Sequence, residues 1–254
     1  MTADDLPVSP ARSPRARRGR GAQPALSRER IVAEALRLLD AEGLEALSMR
    51  RLADPLGTAA TSLYRHVAGK DELIGLALDE VFAECLPAID GQAPWRELVS
   101  ECGHAVRTMI LRHPWASAVL GGAGVTHFGP NLMRLSETML GVLEEAGFPL
   151  REAGSLMSMV FAYVIGMAGT EAAWLANLAR SGLTEEEWTR RAWPAAERAV
   201  QPFPRLRRFY ALHTEDGDGS EGASVDLRRS RDEEFAYGLG CLLDGAAANR
   251  PEGP

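Results

Sequence analysis

From Leu26 onward, apolar residues recur every three to four positions, and no stretch shows the strict alternation of a half-buried strand. The first helical stretch lies between Ser27, a residue type that caps helix N-termini, and Gly43, a typical helix stop. Four N-terminal helices are predicted in this way, over residues 27–43, 48–57, 59–67 and 69–82. The pattern therefore predicts an all-α protein.

The rest of the chain shows the same spacing, interrupted by proline and glycine. Further helices are predicted over about 95–113, 115–120, 131–146, 150–179, 184–193, 195–212 and 232–248. Residues 1–25 lack apolar periodicity and are expected to form a disordered basic arm, and 213–231 a flexible loop. This division predicts a three-helix, homeodomain-like head over 26–82 and a helical body over 90–250.

Composition is ordinary for a soluble globular protein, with 46% hydrophobic and 25% charged residues. Cys85, Cys102 and Cys241 are far apart and form no CxxC pair, which favours reduced thiols in the cytoplasm over a disulfide framework or a zinc site. The N-terminus lacks a secretory signal. The apolar stretch 156–173 is too short to cross a bilayer and is expected to be a buried helix, not a membrane span.

Charge is distributed unevenly along the chain. The net charge is −7, yet residues 1–70 hold 12 basic and 8 acidic side chains, whereas residues 71–254 hold 16 and 27. A basic head on an acidic body is typical of a protein that presents one end to a polyanion such as DNA.

A short helix, a glycine turn and a second short helix follow one another in the run SMRRLADPLGTAATSLYRHVAGKDELI, residues 48–74. This run resembles the head of the tetracycline-repressor (TetR) family, whose members read roughly LAxxLGVxxxxLYxHVxxKxxLL. The matching residues are Leu52, Ala53, Leu56, Gly57, Leu63, Tyr64, His66, Val67, Lys70 and Leu73. The resemblance implies a helix-turn-helix DNA-binding head and, more loosely, a tetracycline-repressor-like C-terminal domain.

The predicted DNA contacts come from the second helix, the turn and the reading helix, which is expected over 58–65. Thr61 and Ser62 could reach base edges or phosphates, and small Ala59 and Ala60 could touch thymine methyl groups. The candidate DNA-binding residues are Ser48, Arg50, Thr58, Ala59, Ala60, Thr61, Ser62, Tyr64, Arg65, His66 and Lys70.

The resemblance implies individual roles for some of these residues. Arg50 matches a position that can reach a guanine, and Tyr64 and His66 match positions that contact the DNA backbone. Lys70, the only lysine, opens the fourth helix, where a phosphate can bind. Alternatively, Tyr64, Arg65 or His66 is only a surface or packing residue. The arm 12–20 either enters the minor groove or takes no part in the specific complex.

Pro55 departs from the pattern, because it removes a backbone hydrogen bond near the end of the second helix. A kink or an early stop is expected there.

In the resembled family the long eighth helix and the last helix of each protomer form a four-helix dimer bundle. The matching segments are 150–179 and 232–248, with Phe235, Leu239 and Leu242 on one stripe. Small residues that would let helices approach closely are Gly154, Gly166, Ala168, Gly169 and Ala172. A homodimer of this kind would bind a palindromic operator in double-stranded DNA.

A pocket for a hydrophobic or amphipathic small molecule is expected inside the body, between 95 and 179. Its candidate lining is Cys102, Val106, Met109, Met139, Met157, Phe161, Thr170 and Trp174, although each is alternatively ordinary core. Leu120 and Thr170 match the metal-binding His and Glu of the tetracycline repressor, with His127 and Glu171 nearby. No metal and no cofactor are therefore expected.

These observations favour a repressor that a small-molecule inducer releases from DNA. An activator or an effector-independent regulator would have the same head. A helical carrier or enzyme is the alternative from another class, but the chain has no HExxH, GxSxG or glycine-rich phosphate motif. We therefore expect no enzyme activity.

Overall fold

The computed structural model describes residues 26–89, 93–122, 129–215 and 227–250, and every regular element within them is helical. The expected arm over 1–25 and His127 lie outside the described residues. The helices are α1 (Arg28–Glu42), α2 (Met49–Ala53), α3 (Ala60–Leu63), α4 (Lys70–Phe82), α5 (Trp95–Arg112), α6 (Trp115–Gly121), α7 (Pro130–Glu145), α8 (Leu150–Ser181), α9 (Glu185–Val200), α10 (Pro204–Glu215) and α11 (Leu227–Ala248). Two 3-10 segments, Leu44–Ala46 and Ala83–Ile89, follow α1 and α4.

The head is built from α1 to α4 around one apolar core. The side chain of Ser27 accepts from the backbone N–H of Arg30, and Gly43 ends α1 with a φ of 79°, so both predicted boundaries are confirmed. Fully buried side chains join the four helices: Ile31, Leu39, Leu52, Leu63 and Leu73. Their burial fixes the positions of the two short helices, which are too short to be stable alone.

Pro55 ends α2 early, as expected. The helix stops at Ala53, and the chain turns through residues 54–57, with Gly57 at a φ of 65°. The reading helix is shorter than predicted, because α3 covers only Ala60–Leu63 instead of 58–65. After Leu63 the backbone continues in tight turns, in which the N–H of His66 donates to the Leu63 carbonyl.

The body packs α5 against the middle of α8, with α7 and α11 on either side. α8 is long and apolar enough to cross a membrane by length and composition, but only 28% of its most apolar window is buried. The expectation of a buried helix is therefore wrong for one side of α8. Its buried side, which includes Leu156, Val164 and Ala168, faces α5 and α7, and its other side is exposed.

Three predictions near the C-terminus need correction. Pro194 does not end a helix, since α9 continues through it to Val200. The destabilisation by Pro194 stays local, because one proline removes only one backbone hydrogen bond of the helix. The predicted loop over 213–231 is helical at both ends, in α10 up to Glu215 and in α11 from Leu227, and 216–226 lie outside the described residues. The buried stripe of α11 is Phe235, Leu239 and Leu243 in place of Leu242.

Candidate nucleic-acid interface and ligand cavity

We call the exposed and half-buried candidate residues between the start of α2 and the turns after α3 the reading face: Ser48, Arg50, Thr58, Ala59, Ala60, Thr61, Ser62, Tyr64, Arg65 and His66. Arg50, Thr61 and Arg65 are exposed, and the aromatic side chain of Tyr64 is 56% exposed. Thr58, Ala60, Ser62 and His66 are half-buried. Ten of the eleven predicted residues thus lie in or next to α2 and α3, and none of the ten is buried; that they contact DNA stays a prediction.

Adjacent arginines on α2 differ in their partners. The Arg51 guanidinium binds the Glu42 carboxylate at 2.6 Å, and this hydrogen bond lowers the pKa of Glu42 below its ordinary value. The Arg50 side chain has no hydrogen-bond partner among the described residues. Of these two arginines, Arg50 is therefore the one that can bind a ligand without first breaking an ion pair.

Lys70 lies beside the reading face, but part of its hydrogen-bonding capacity is already used. Its Nζ donates to the Leu44 carbonyl at 3.1 Å, which ties the start of α4 to the 3-10 segment after α1. An ammonium group has three donors, so two remain, and the side chain is exposed.

A polar junction joins the head to the body. Asp40 on α1 accepts from the indole N–H of Trp115 at 2.8 Å, and the same oxygen lies 2.7 Å from Nδ1 of His113. Nε2 of His113 lies 3.1 Å from Oε1 of Glu84, in the 3-10 segment that follows α4. His113 caps the C-terminus of α5, so a movement of α5 reaches the head through these contacts.

A cavity of about 440 Å³ opens between α5, α8, α9 and α11. Its lining residues are Arg107, Met167, Thr170, Glu171, Trp174, Trp188, Ser230, Arg231, Glu234 and Phe235. The volume is in the range of cavities that hold drug-sized molecules. Most of its surface is apolar, and its two arginines and Glu171 are held by ion pairs.

An ion-pair network fixes the charged wall of this cavity. Arg107 is buried and binds Glu171 at 2.8 Å and Asp232 at 2.7 Å. Arg231 binds the other oxygen of Glu171 at 3.1 Å and reaches Glu185 at 2.7 Å. Because removing one partner of such a buried pair leaves the other uncompensated, the network holds α5, α8, α9 and α11 in one arrangement.

Aromatic rings complete the wall. The Arg107 guanidinium lies 4.9 Å from the ring centre of Phe235, and that of Arg231 lies 4.7 Å from the ring of Trp174. Trp188 meets Trp174 edge-on, with the ring centres 6.1 Å apart. Both guanidinium groups thus lie between carboxylates and an aromatic face.

Of the eight predicted lining residues, the structure places only Thr170 and Trp174 at this cavity. Cys102, Val106, Met109 and Met139 are buried in the core, and Met157 and Phe161 are half-buried against it. Burial raises the pKa of Cys102 to about 12, which keeps its thiol protonated and unreactive. These residues match the alternative of ordinary core.

Sequence reasoning missed most of the wall, because α9 and α11 contribute Trp188, Arg231 and Phe235 from beyond the segment that was considered. One signal was present. Glu171 is the single charge within the apolar stretch 156–173, and such a charge requires a partner when it is buried.

Two family models match the chain. Residues 31–76 match the model for bacterial regulatory proteins of the tetR family, and residues 86–250 match the tetracyclin repressor-like C-terminal domain. Together they cover both the head that carries the reading face and the body that carries the cavity.

Individual proteins are similar over most of the chain. The HTH-type transcriptional repressor DrrR1 of Streptomyces coeruleorubidus is 34% identical over 230 residues, which are 90% of this chain and 80% of that protein. An HTH-type transcriptional regulator of Saccharopolyspora erythraea is 38% identical over 152 residues, 60% of this chain; the match spans 64% of that relative's length, just under two thirds. The crystal structure of the Streptomyces coelicolor TetR family protein ActR in complex with actinorhodin matches with a TM-score of 0.66 and 29% identity, over 90% of this chain and 100% of that one.

Proposed function

The chain belongs to the tetracycline-repressor family, and on that premise we propose that it is a dimeric transcriptional repressor, released from a palindromic operator by a small organic ligand. The observation that carries the proposal is the reading face, where Arg50, Thr61 and Tyr64 are exposed without hydrogen-bond partners among the described residues. Exposed, unpaired donors beside an aromatic side chain are what a DNA groove and its flanking phosphates require.

Within the reading face the side chains divide into two groups. Arg50 has the reach and the two parallel donors that recognise a guanine edge, and Thr61 and Ser62 lie on α3, the helix that would enter the major groove. Tyr64, His66 and Lys70 follow α3 toward the start of α4, where phosphates flank the groove. The first group selects the operator and the second fixes the head on it.

The exposed sides of α8 and α11 support a homodimer. Met159 on α8 is 51% exposed, and Tyr237 on α11 is 76% exposed. Around Gly166 there is open space, so a second helix could approach closely, whereas Ala168 and Ala172 are already buried in the protomer. A two-fold pair of such faces would bury the apolar side of α8 and place two heads on successive turns of DNA. A protein of this kind acts in the cytoplasm, where the DNA is.

The cavity supports the effector site, because it shares α5 with the head–body junction. Arg107 lines the cavity and His113 ends the same helix, six residues along the chain. A ligand that binds more tightly to one position of α5 shifts the protein toward that state, and the contacts of His113 with Asp40 and Glu84 carry the shift to the head. ActR is a relative whose structure contains a bound small molecule, actinorhodin.

The test measures binding of the full-length protein to labelled DNA from upstream of its own gene. Fluorescence anisotropy reports the binding, at two salt concentrations. We expect tight binding to one palindromic segment, steep weakening with salt, and no comparable binding to a scrambled segment. Equal affinity for both segments would contradict the proposal.

A further inference from the structure

The walls of the cavity indicate which chemical class of ligand it takes. Each of its two cationic side chains is paired with two carboxylates: Arg107 binds Glu171 and Asp232, and Arg231 binds Glu171 and Glu185. The carboxylate of Glu234 also lines the cavity but has no hydrogen-bond or ion-pair partner among the described residues. Among the described residues, the wall thus has one carboxylate, that of Glu234, that neither guanidinium group contacts.

The aromatic residues show the same imbalance. Phe235 and Trp174 each have a guanidinium over the ring, held in place by a carboxylate. Trp188 lines the cavity, is 40% exposed, and has no cation over its ring among the described residues. The site therefore contains two guanidinium groups, each against a ring and two carboxylates, and a further ring and a further carboxylate, those of Trp188 and Glu234, that lack a cation among the described residues.

We propose that this cavity binds a planar organic cation, whose flat apolar body lies against Trp188 and whose charged nitrogen binds Glu234. The inference rests on the proposed function only in taking this cavity as the effector site. A volume of about 440 Å³ accommodates a molecule of three to four fused or linked rings. An anionic ligand of the same shape would place its charge beside the carboxylates of Glu234 and Glu171, which would repel it.

Two dyes with the same xanthene ring system and opposite charge test the proposal. Rhodamine 123 is a cation and fluorescein an anion at pH 7.5, and their anisotropy reports binding to the full-length protein without DNA. We expect rhodamine 123 to bind at least tenfold more tightly than fluorescein. Equal affinities, a preference for fluorescein, or no binding of either dye would overturn the proposal.

Variants locate the bound dye. Glu234→Gln keeps the size of the side chain but removes its charge, and should weaken rhodamine 123 binding about tenfold, through loss of one charge-assisted hydrogen bond. Trp188→Ala, at a half-exposed position, should have an effect of similar size. The control is Glu144→Gln, an exposed carboxylate at the end of α7 with no contact to the cavity. If Glu234→Gln and Glu144→Gln bind the dye equally well, the assigned site is wrong.

Operator binding without dye separates this inference from the proposed function. Glu234→Gln should bind operator DNA with the parent's affinity, because the residue lies in the body, far along the chain from the reading face. A protein that binds its operator but shows no charge preference for the dyes would retain the proposed function and lose the ligand class. A protein that prefers rhodamine 123 but does not bind the palindromic operator specifically would support the ligand class and contradict the proposed function.

Discussion

Asp79 on α4 caps the N-terminus of α7: its Oδ1 accepts from the backbone N–H of Asn131 at 2.9 Å and from that of Leu132 at 3.1 Å. The Asn131 amide donates back to the Asp79 carbonyl at 3.1 Å. Because α4 is the last helix of the head and α7 lies in the body, this pair is a second connection between the two, beside the His113 junction. A Cβ on Gly129 would overlap the Asp79 carboxylate, so the chain approaches α4 here as closely as glycine allows.

Asp79→Ala should destabilise the protein by about 2 kcal/mol, since it leaves two N–H groups of α7 without an acceptor at a site where Asp79 is only 8% exposed. Asp79→Asn keeps one acceptor oxygen and should lose less. Urea unfolding at fixed protomer concentration measures both. Glu80→Gln, an exposed neighbour on α4, is the control and should leave the midpoint unchanged. An equal loss in all three variants would contradict the capping role.

Arg50→Ala should lower operator affinity about tenfold to a hundredfold, the usual range for one arginine–guanine contact. Arg51→Ala, one residue away, removes the same positive charge. Because the Arg51 side chain is already paired with Glu42, its loss should lower operator affinity much less. Anisotropy titrations of both variants on the same operator make the comparison. A larger loss for Arg51→Ala would mean that α2 faces DNA differently from the proposal.

Tyr237→Glu should convert the dimer to monomers at micromolar concentration, because it places a charge on the exposed side of α11, which the proposed interface would bury. Tyr237 is 76% exposed in the protomer, so the protomer itself should remain folded. Met133→Glu, at an exposed position of α7, is the matched control and should stay dimeric. Light scattering after size exclusion gives the mass. A dimeric Tyr237→Glu protein would place the interface elsewhere.

Stability should fall as the pH is lowered from 7 through about 6.5, in part because of His104. Burial, and secondarily the charge of Arg107, lower the pKa of His104 below its ordinary value. The unfolded chain therefore takes up a proton at a higher pH than the folded protein, and acid favours unfolding.

His104→Gln removes this contribution. Its free energy of unfolding should decline less than that of the parent between pH 8 and pH 5.5, measured by urea titration at each pH. Comparison at pH 8, where His104 is neutral in both states, corrects for the lost edge-on contact with Phe235. Parallel curves for the two proteins would show that His104 titrates alike in the folded and unfolded states.

The sequence alone determined the helical class and the ends of α1. Ser27 and Gly43 set the ends of α1 through their own side chain and backbone, and the run 48–74 places the turn, the reading helix and Lys70 at fixed separations. These features depend on residues within a few positions of one another, so local chemistry is enough to specify them. The early end of α2 at Pro55 was predictable for the same reason.

Only the tertiary structure decided which distant charges meet, and with them the cavity. Arg107 and Glu171 are 64 residues apart in the sequence, and Arg231 and Glu185 are 46 residues apart. His113 and Asp40 are separated by 73 residues. In a chain with 28 basic and 35 acidic side chains, no local pattern selects these pairs. The predicted methionines and cysteine turned out to be core, because any apolar residue on the inner side of α5 or α7 satisfies the same periodicity. Packing of α9 and α11 against α8 leaves the space at Thr170 and Trp174, and that packing is a property of the whole fold.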